Sequence, residues 1–166
     1  MENAFFTDED LSVIFSYPEW KIVSTVSSDI KPIRPDRKYL EWINNNCSVH
    51  HHREAMFVLS GTSLFTLNGV TYRSSPGTLF LVDADETHDS FYPPFVKNIK
   101  HILFRVASKT IITRAPCCKD LVKPHKKDDL NYISNSFNHA GMAFLNAWDD
   151  RVGQKQMDQE FLRMLV

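Results

Sequence analysis

The sequence predicts a mainly β domain, a sandwich or barrel, followed by a pair of helices. Three observations carry this. Between about residues 20 and 106, short apolar or alternating runs are punctuated by turn residues. Asn68-Gly69 sits between two alternating runs, where both central positions of a type I′ turn need positive φ. After about residue 126 the apolar spacing changes from two to three and four. The 166 residues suffice for one domain with a core, since chains of this size bury about two-thirds of their unfolded surface.

Taken in order, the candidate strands are WKIVSTV (20 to 26), KYLEWIN (38 to 44), EAMFVLS (54 to 60), TSLFTLN (62 to 68), VTYRS (70 to 74), GTLFLVD (77 to 83) and IKHILFRV (99 to 106). None of the stretches between breakers offers ten periodic residues, so no helix is expected there. LFTLNGVTYRS is one antiparallel hairpin, Ser60-Gly61 a bend, and Pro76-Gly77 the turn that opens the next strand. The segment 84 to 98, with Pro93-Pro94, is too broken for a central strand. In DDLNYISNSFNHAGMAFLNAWDDRV, Leu130, Ile133, Phe137, Met142, Leu145 and Trp148 recur at helical spacing, with Asp128 or Asp129 as N-cap. A break at Val152-Gly153 precedes a second helix carrying Met157, Phe161, Leu162 and Leu165. Its uncapped apolar end predicts that further residues follow in the full-length protein.

Composition narrows the function classes. Hydrophobic (43%) and charged (23%) fractions are those of an ordinary soluble domain, and no apolar run approaches the roughly 20 residues a membrane helix needs. A net charge of −1, from 19 basic and 20 acidic residues, excludes a large basic footprint for nucleic acid. MENAFFTDEDLSVIF lacks the basic start of a secretory signal, and Cys47, Cys117 and Cys118 form no CxxC pair, which together predict free thiols in the cytoplasm. Lys123, Lys126 and Lys127 read as a solvated loop. Asp83, Asp85, Glu86 and Asp89 form an acidic rim without the glycine and glutamate of an EF-hand.

The chemistry concentrates in VHHHREAMFVLSG, residues 49 to 61. On an extended strand His50, His52 and Glu54 share one face, and His51 and Arg53 the other, which makes the latter two outward and structural. Two imidazoles and a carboxylate on one face, with His88 brought back by the antiparallel strand after the hairpin, can hold a divalent transition metal such as Zn, Fe, Mn or Ni. The alternative is a polar, solvated histidine run.

The series of histidines, glutamate, six residues, glycine, an Asn-Gly hairpin, Pro-Gly, a strand and a final histidine resembles the two-part cupin motif. More narrowly, HHHREAMFVLSGTSLFTLNGVTYRSSPGTLFLVDADETH resembles the N-terminal ligand-binding domain of AraC-type bacterial transcription regulators. Three positions depart from the pattern: Ser48 stands where a first paired histidine belongs, and Asp83 and Asp85 where a proline and a glycine precede the last histidine.

The resemblance implies a cupin-like double-stranded β-barrel (jelly roll) over residues 1–110 with an N-terminal extension, a linker at 111–127 and a helical dimerisation segment at 128–166. It further implies a small-molecule effector, a carbohydrate among the candidates, bound by His50, His52, Glu54 and His88 with Trp42, Phe65, Phe80 and Tyr92 as stacking surfaces. No metal is required for that role. A homodimer would form through Phe137, Phe144, Leu145, Trp148 and Phe161, and DNA would be met only by a C-terminal helix-turn-helix domain absent from this chain. Incomplete ligand spacing favours a sensor over an enzyme. The runner-up is a metal-dependent cupin enzyme of the dioxygenase or isomerase type, with His50, His52, Glu54 and His88 as ligands.

Overall fold

A computed structural model describes residues 8–16, 20–89, 93, 95–96, 98–107, 110–114, 117–118, 132–136, 146 and 148–149. Its elements are α1 (Asp8–Phe15), β1 (Lys21–Val23), α2 (Arg37–Ile43), β2 (Cys47–Ser48), β3 (Arg53–Ser60), β4 (Ser63–Leu67), β5 (Val70–Ser74), β6 (Thr78–Val82), β7 (His88–Asp89), β8 (Ile99–Ala107), β9 (Thr110–Arg114), β10 (Cys117–Cys118) and β11 (Tyr132–Ser136). They build a seven-stranded sheet, β1-β6-β3-β8-β9-β11 with β10 beside β8, and a four-stranded sheet, β2-β7-β4-β5. The protein is mainly β, as the alternating runs predict.

Strand parity divides the core into two layers on either side of the large sheet. Met56 and Val58 of β3 join Phe80, Val82 and Leu103 of the same sheet and Phe65, Leu67 and Tyr72 of the small sheet, so this cluster fills the space between the sheets. Ala55, Phe57 and Leu59 point the opposite way, where Leu79, Leu81, Ile102 and Phe104 meet Ile14 of α1, Trp20 and Trp148. β3 is therefore apolar on both faces, and six consecutive residues of it are buried.

Turn chemistry fixes the hairpins. Asn68 (φ 46°) and Gly69 (φ 78°) both take the left-handed region, and β4 and β5 pair in register from Leu67 opposite Val70 to Ser63 opposite Ser74. At Gly61 (φ 79°) a Cβ would stand 2.3 Å from the Asn98 carbonyl oxygen, so that bend admits only glycine.

Three expectations need correction. KYLEWIN is not a strand: Asp36 caps it by accepting the Tyr39 amide at 2.8 Å, and Arg37 pairs with Glu41 one turn on, giving a two-turn helix too short for a ten-residue criterion. Within the segment expected to form the first C-terminal helix, Tyr132–Ser136 is instead a strand, registered antiparallel on β9 from Tyr132 opposite Arg114 to Ser136 opposite Thr110. Sheet pairing there overrides the helical spacing of Leu130 and Ile133, and the span read as a linker contributes β9 and β10. Trp148 and Asp149 are helical; the second helix, with Phe161, lies outside the described residues, as do Phe137, Phe144 and Leu145.

Candidate ligand site at the barrel mouth

The site forms where β3 begins. β6, β3 and β8 lie side by side, with Glu54 opposite Val82 on one flank and Arg105 on the other. Residues opposite one another in a sheet share a face, so Glu54 and Arg105 both point between the sheets, one layer above Phe80, Met56 and Leu103. From the small sheet, His88 lies opposite both Ser48 and Leu67, which directs its ring to the same space.

Glu54 is the hub and is 2% exposed. Its Oε1 accepts from His52 Nε2 at 3.0 Å and from Arg105 Nε at 2.9 Å, with an Arg105 terminal nitrogen also 2.9 Å away. Its Oε2 lies 3.4 Å from His88 Nε2. Burial alone would raise the Glu54 pKa, but the hydrogen bonds from His88 and His52 and the charge of Arg105 outweigh it and hold the group at about 2. His88 is buried too, and burial works against its charged form. The Glu54 carboxylate and the Glu86 carbonyl, which accepts from His88 Nδ1 at 3.1 Å, overcome that and raise its pKa.

His50 and His52 stack with ring centroids 4.8 Å apart, and His50 meets His88 edge-on at 5.2 Å. Burial lowers the pKa of His50, and Glu54 opposes that only in part. The four predicted polar residues thus come together, with His50, His52 and Arg105 partly exposed above a buried Glu54-His88 base. The histidines do not lie on an extended strand as expected: β3 starts only at Arg53, and residues 51–52 form a bend before it. His51 turns out from that bend and its Nδ1 donates to Asp85 at 2.6 Å, while Arg53, opposite in parity to Glu54, pairs with Asp83 at 3.1 Å and with Asp149 and lies 5.2 Å over the Trp148 ring.

The turn that presents His88 survives its two departures from the family pattern. Asp85 itself adopts φ 67°, the conformation glycine would supply, and its amide donates to the His50 carbonyl at 2.7 Å. Glu86 accepts from the Asp83 amide at 2.8 Å and from Asn68 at 3.2 Å, and Thr25 donates to it as well.

The aromatic candidates separate. Phe65 and Phe80 are fully buried, 4.5 Å apart edge-to-face, and form the apolar floor; the ring of Phe65 lies 6.5 Å from that of His88. Trp42 packs on Tyr39 of α2 at 5.6 Å, and Tyr92 lies outside the described residues. Trp148, expected at a subunit contact, is 1% exposed and belongs to the protomer's own outer cluster.

Sequence reasoning missed Arg105 and His101. His101 lies opposite Val58, faces the same interior, and is neutral there because complete burial lowers its pKa to about 3. Both share the parity of Leu103 in IKHILFRV, a signal legible once the inward face of β8 is known.

His50, Glu54 and His88 offer three ligand atoms within 4.8 Å of one another, and the bond from His88 Nδ1 to a carbonyl is the kind that orients a metal-binding imidazole. In kind these donors suit a transition metal. The guanidinium of Arg105, held on the same carboxylate, is a fixed positive charge that opposes a dication there, so the set does not fit a resident metal well.

Residues 39–94 match the model of a family described as AraC-like ligand binding domain. The match spans α2 through β7 and includes His50, His52, Glu54 and His88, while Arg105 falls outside it. No curated protein and no solved structure matches the chain.

Proposed function

Proceeding from the match of residues 39–94 to an AraC-like ligand binding domain, we propose that this chain is the effector-sensing part of an AraC-type transcription regulator. One observation carries the reading: three histidines, a carboxylate and an arginine converge at one end of the space between the sheets, over an apolar floor of Phe65, Phe80, Met56 and Leu103. Polar groups above an apolar floor are what a small hydroxylated molecule requires, since sugars present both hydroxyls and CH faces. Coupling to dimerisation would run through the 128–166 segment, and coupling to DNA through a helix-turn-helix domain outside this chain. The role requires no catalysis and no resident cofactor. It places the protein in the cytoplasm, and no described helix is long and apolar enough to cross a membrane.

Thermal unfolding of the chain against a panel of sugars, polyols and sugar acids tests this. A ligand that binds only the native state raises Tm with its concentration. At least one class is expected to do so, and Glu54→Gln to abolish the effect.

The second reading, a metal-dependent cupin enzyme, is favoured by the His50, Glu54 and His88 grouping alone. Elemental analysis of protein purified without chelator separates the two: near-stoichiometric transition metal would favour the enzyme.

A further inference from the structure

The polar groups at the barrel mouth are unequal in kind. Among the described residues Glu54 is the one carboxylate that faces them, and its two oxygens are committed to His52, Arg105 and His88. The neighbouring acids are turned elsewhere. Asp83 pairs with Arg53, Asp85 with His51, and Glu86 takes up Thr25, Asn68 and the Asp83 amide. Asp89 accepts from the Tyr39 hydroxyl and the Thr66 amide on the outer side of the small sheet.

What is left for a ligand includes one group that can only donate, the Arg105 fork, beside imidazoles that offer a donor and an acceptor each when neutral. Arg105 spends Nε and one terminal nitrogen on a single oxygen of Glu54, and the remaining N–H groups of its fork have no partner among the described residues. Its side chain is 29% exposed, and that of His52 24%, so both stay reachable above the buried base. A neutral sugar needs acceptors for its hydroxyl protons as much as donors for its oxygens, and the one carboxylate here is buried, with Oε1 taken by His52 and Arg105 and Oε2 facing His88 at 3.4 Å. An acceptor-only group fits better, and a planar carboxylate matches the guanidinium fork.

Resting on the effector-site reading above, we propose that the effector carries a carboxylate, received by Arg105 with the N–H of His50. The site then takes a small polyhydroxy acid, such as a uronic or aldonic acid, in preference to the neutral sugar. Arg105 is the residue that sets this specificity, and Glu54 holds it in position.

The test uses matched pairs on the whole chain: glucuronate against glucose, galacturonate against galactose, and gluconate against sorbitol. Tm shifts and titration calorimetry are read on wild type and on Arg105→Lys, which keeps a positive charge beside Glu54 so that the variant folds; its unliganded Tm checks this. At least one acid is expected to bind 10-fold or more tightly than its neutral partner. Arg105→Lys should weaken that acid by about 10- to 100-fold, the range set by losing charge-assisted hydrogen bonds, with unliganded Tm little changed. A neutral member that binds as tightly as its acid, or an acid indifferent to Arg105→Lys, overturns the carboxylate assignment and leaves the effector site standing. Silence from both members of every pair overturns both readings.

Discussion

At the scale of single residues, two ionisable groups in the barrel weaken it as pH falls, over windows that are offset and overlap between about pH 4.5 and 3. Glu54 is held at about 2 against an ordinary 4.5, so its stabilisation is whole above pH 4.5 and is lost as pH falls toward 2. That depression corresponds to about 3 kcal/mol. Glu54→Gln is expected to lower stability by about 3 kcal/mol at pH 7, because Arg105 and His88 lose their counter-charge, and to flatten the urea-unfolding midpoint between pH 4.5 and 2. His101 acts earlier. Its pKa falls from 6.5 to about 3, so the unfolded chain takes up a proton that the folded one refuses, and stability declines as pH drops below 6.5. The slope is up to about 1.4 kcal/mol per pH unit. His101→Leu should remove most of the loss between pH 7 and 5; a variant that falls as steeply as wild type would contradict this. The inward direction of Glu54 was legible in the sequence because strand parity is rigid, whereas His50 and His52 precede β3 and reach the same space by stacking on each other and by the hydrogen bond from His52 to Glu54. Arg105 and His101 were not legible, because β8 is apolar on both faces and only its pairing on β3, with Arg105 opposite Glu54 and His101 opposite Val58, shows which face turns inward.

Individual elements show which local signals are sufficient. The Asn68-Gly69 hairpin was readable because a steric rule at two positions decides it. α2 was not, although Asp36 is an orthodox N-cap and Tyr39, Leu40, Trp42 and Ile43 recur at helical spacing, because seven residues are too few for periodicity to decide. A buried network decides: the Tyr39 hydroxyl donates to Asp89 and lies 3.1 Å from Thr66 Oγ1, which is 2.9 Å from Thr71 Oγ1. Burial and the Asp89 carboxylate raise the Tyr39 pKa, so its hydroxyl keeps the proton it donates. Tyr39→Phe leaves Asp89 short of a donor and is expected to cost about 1–3 kcal/mol in chemical denaturation. The two glycine turns should respond differently. Gly69→Ala meets nothing within 4 Å and costs only the left-handed backbone, about 1–2 kcal/mol. Gly61→Ala drives a methyl into the Asn98 carbonyl, and folded protein is expected to be lost. Equal stability of the two variants by thermal unfolding would refute the close approach.

On the scale of the molecule, the large sheet separates a polar-topped interior from an apolar outer layer closed by α1 and Trp148. The sandwich followed from the alternating runs of the sequence; the second apolar layer outside the large sheet did not, although the unbroken apolar run at residues 55–59 carries it. That Trp148 closes the outer layer did not follow either, because an apolar residue at helical spacing fits a subunit contact equally well. Trp148→Ala is expected to cost about 3–5 kcal/mol of stability, as large aromatic truncations in cores do, with any change in sedimentation following from unfolding and not preceding it. All three tryptophans, Trp20, Trp42 and Trp148, lie outside the inner cluster, whose aromatic members among the described residues are Phe65, Tyr72 and Phe80. The indole emission of this protein is thus a signal from its shell. A ligand seated between the sheets meets phenylalanine and tyrosine rings and no indole, and the shortest route from the site to a tryptophan runs from Glu54 to the neighbouring Arg53, whose guanidinium lies 5.2 Å from the Trp148 ring.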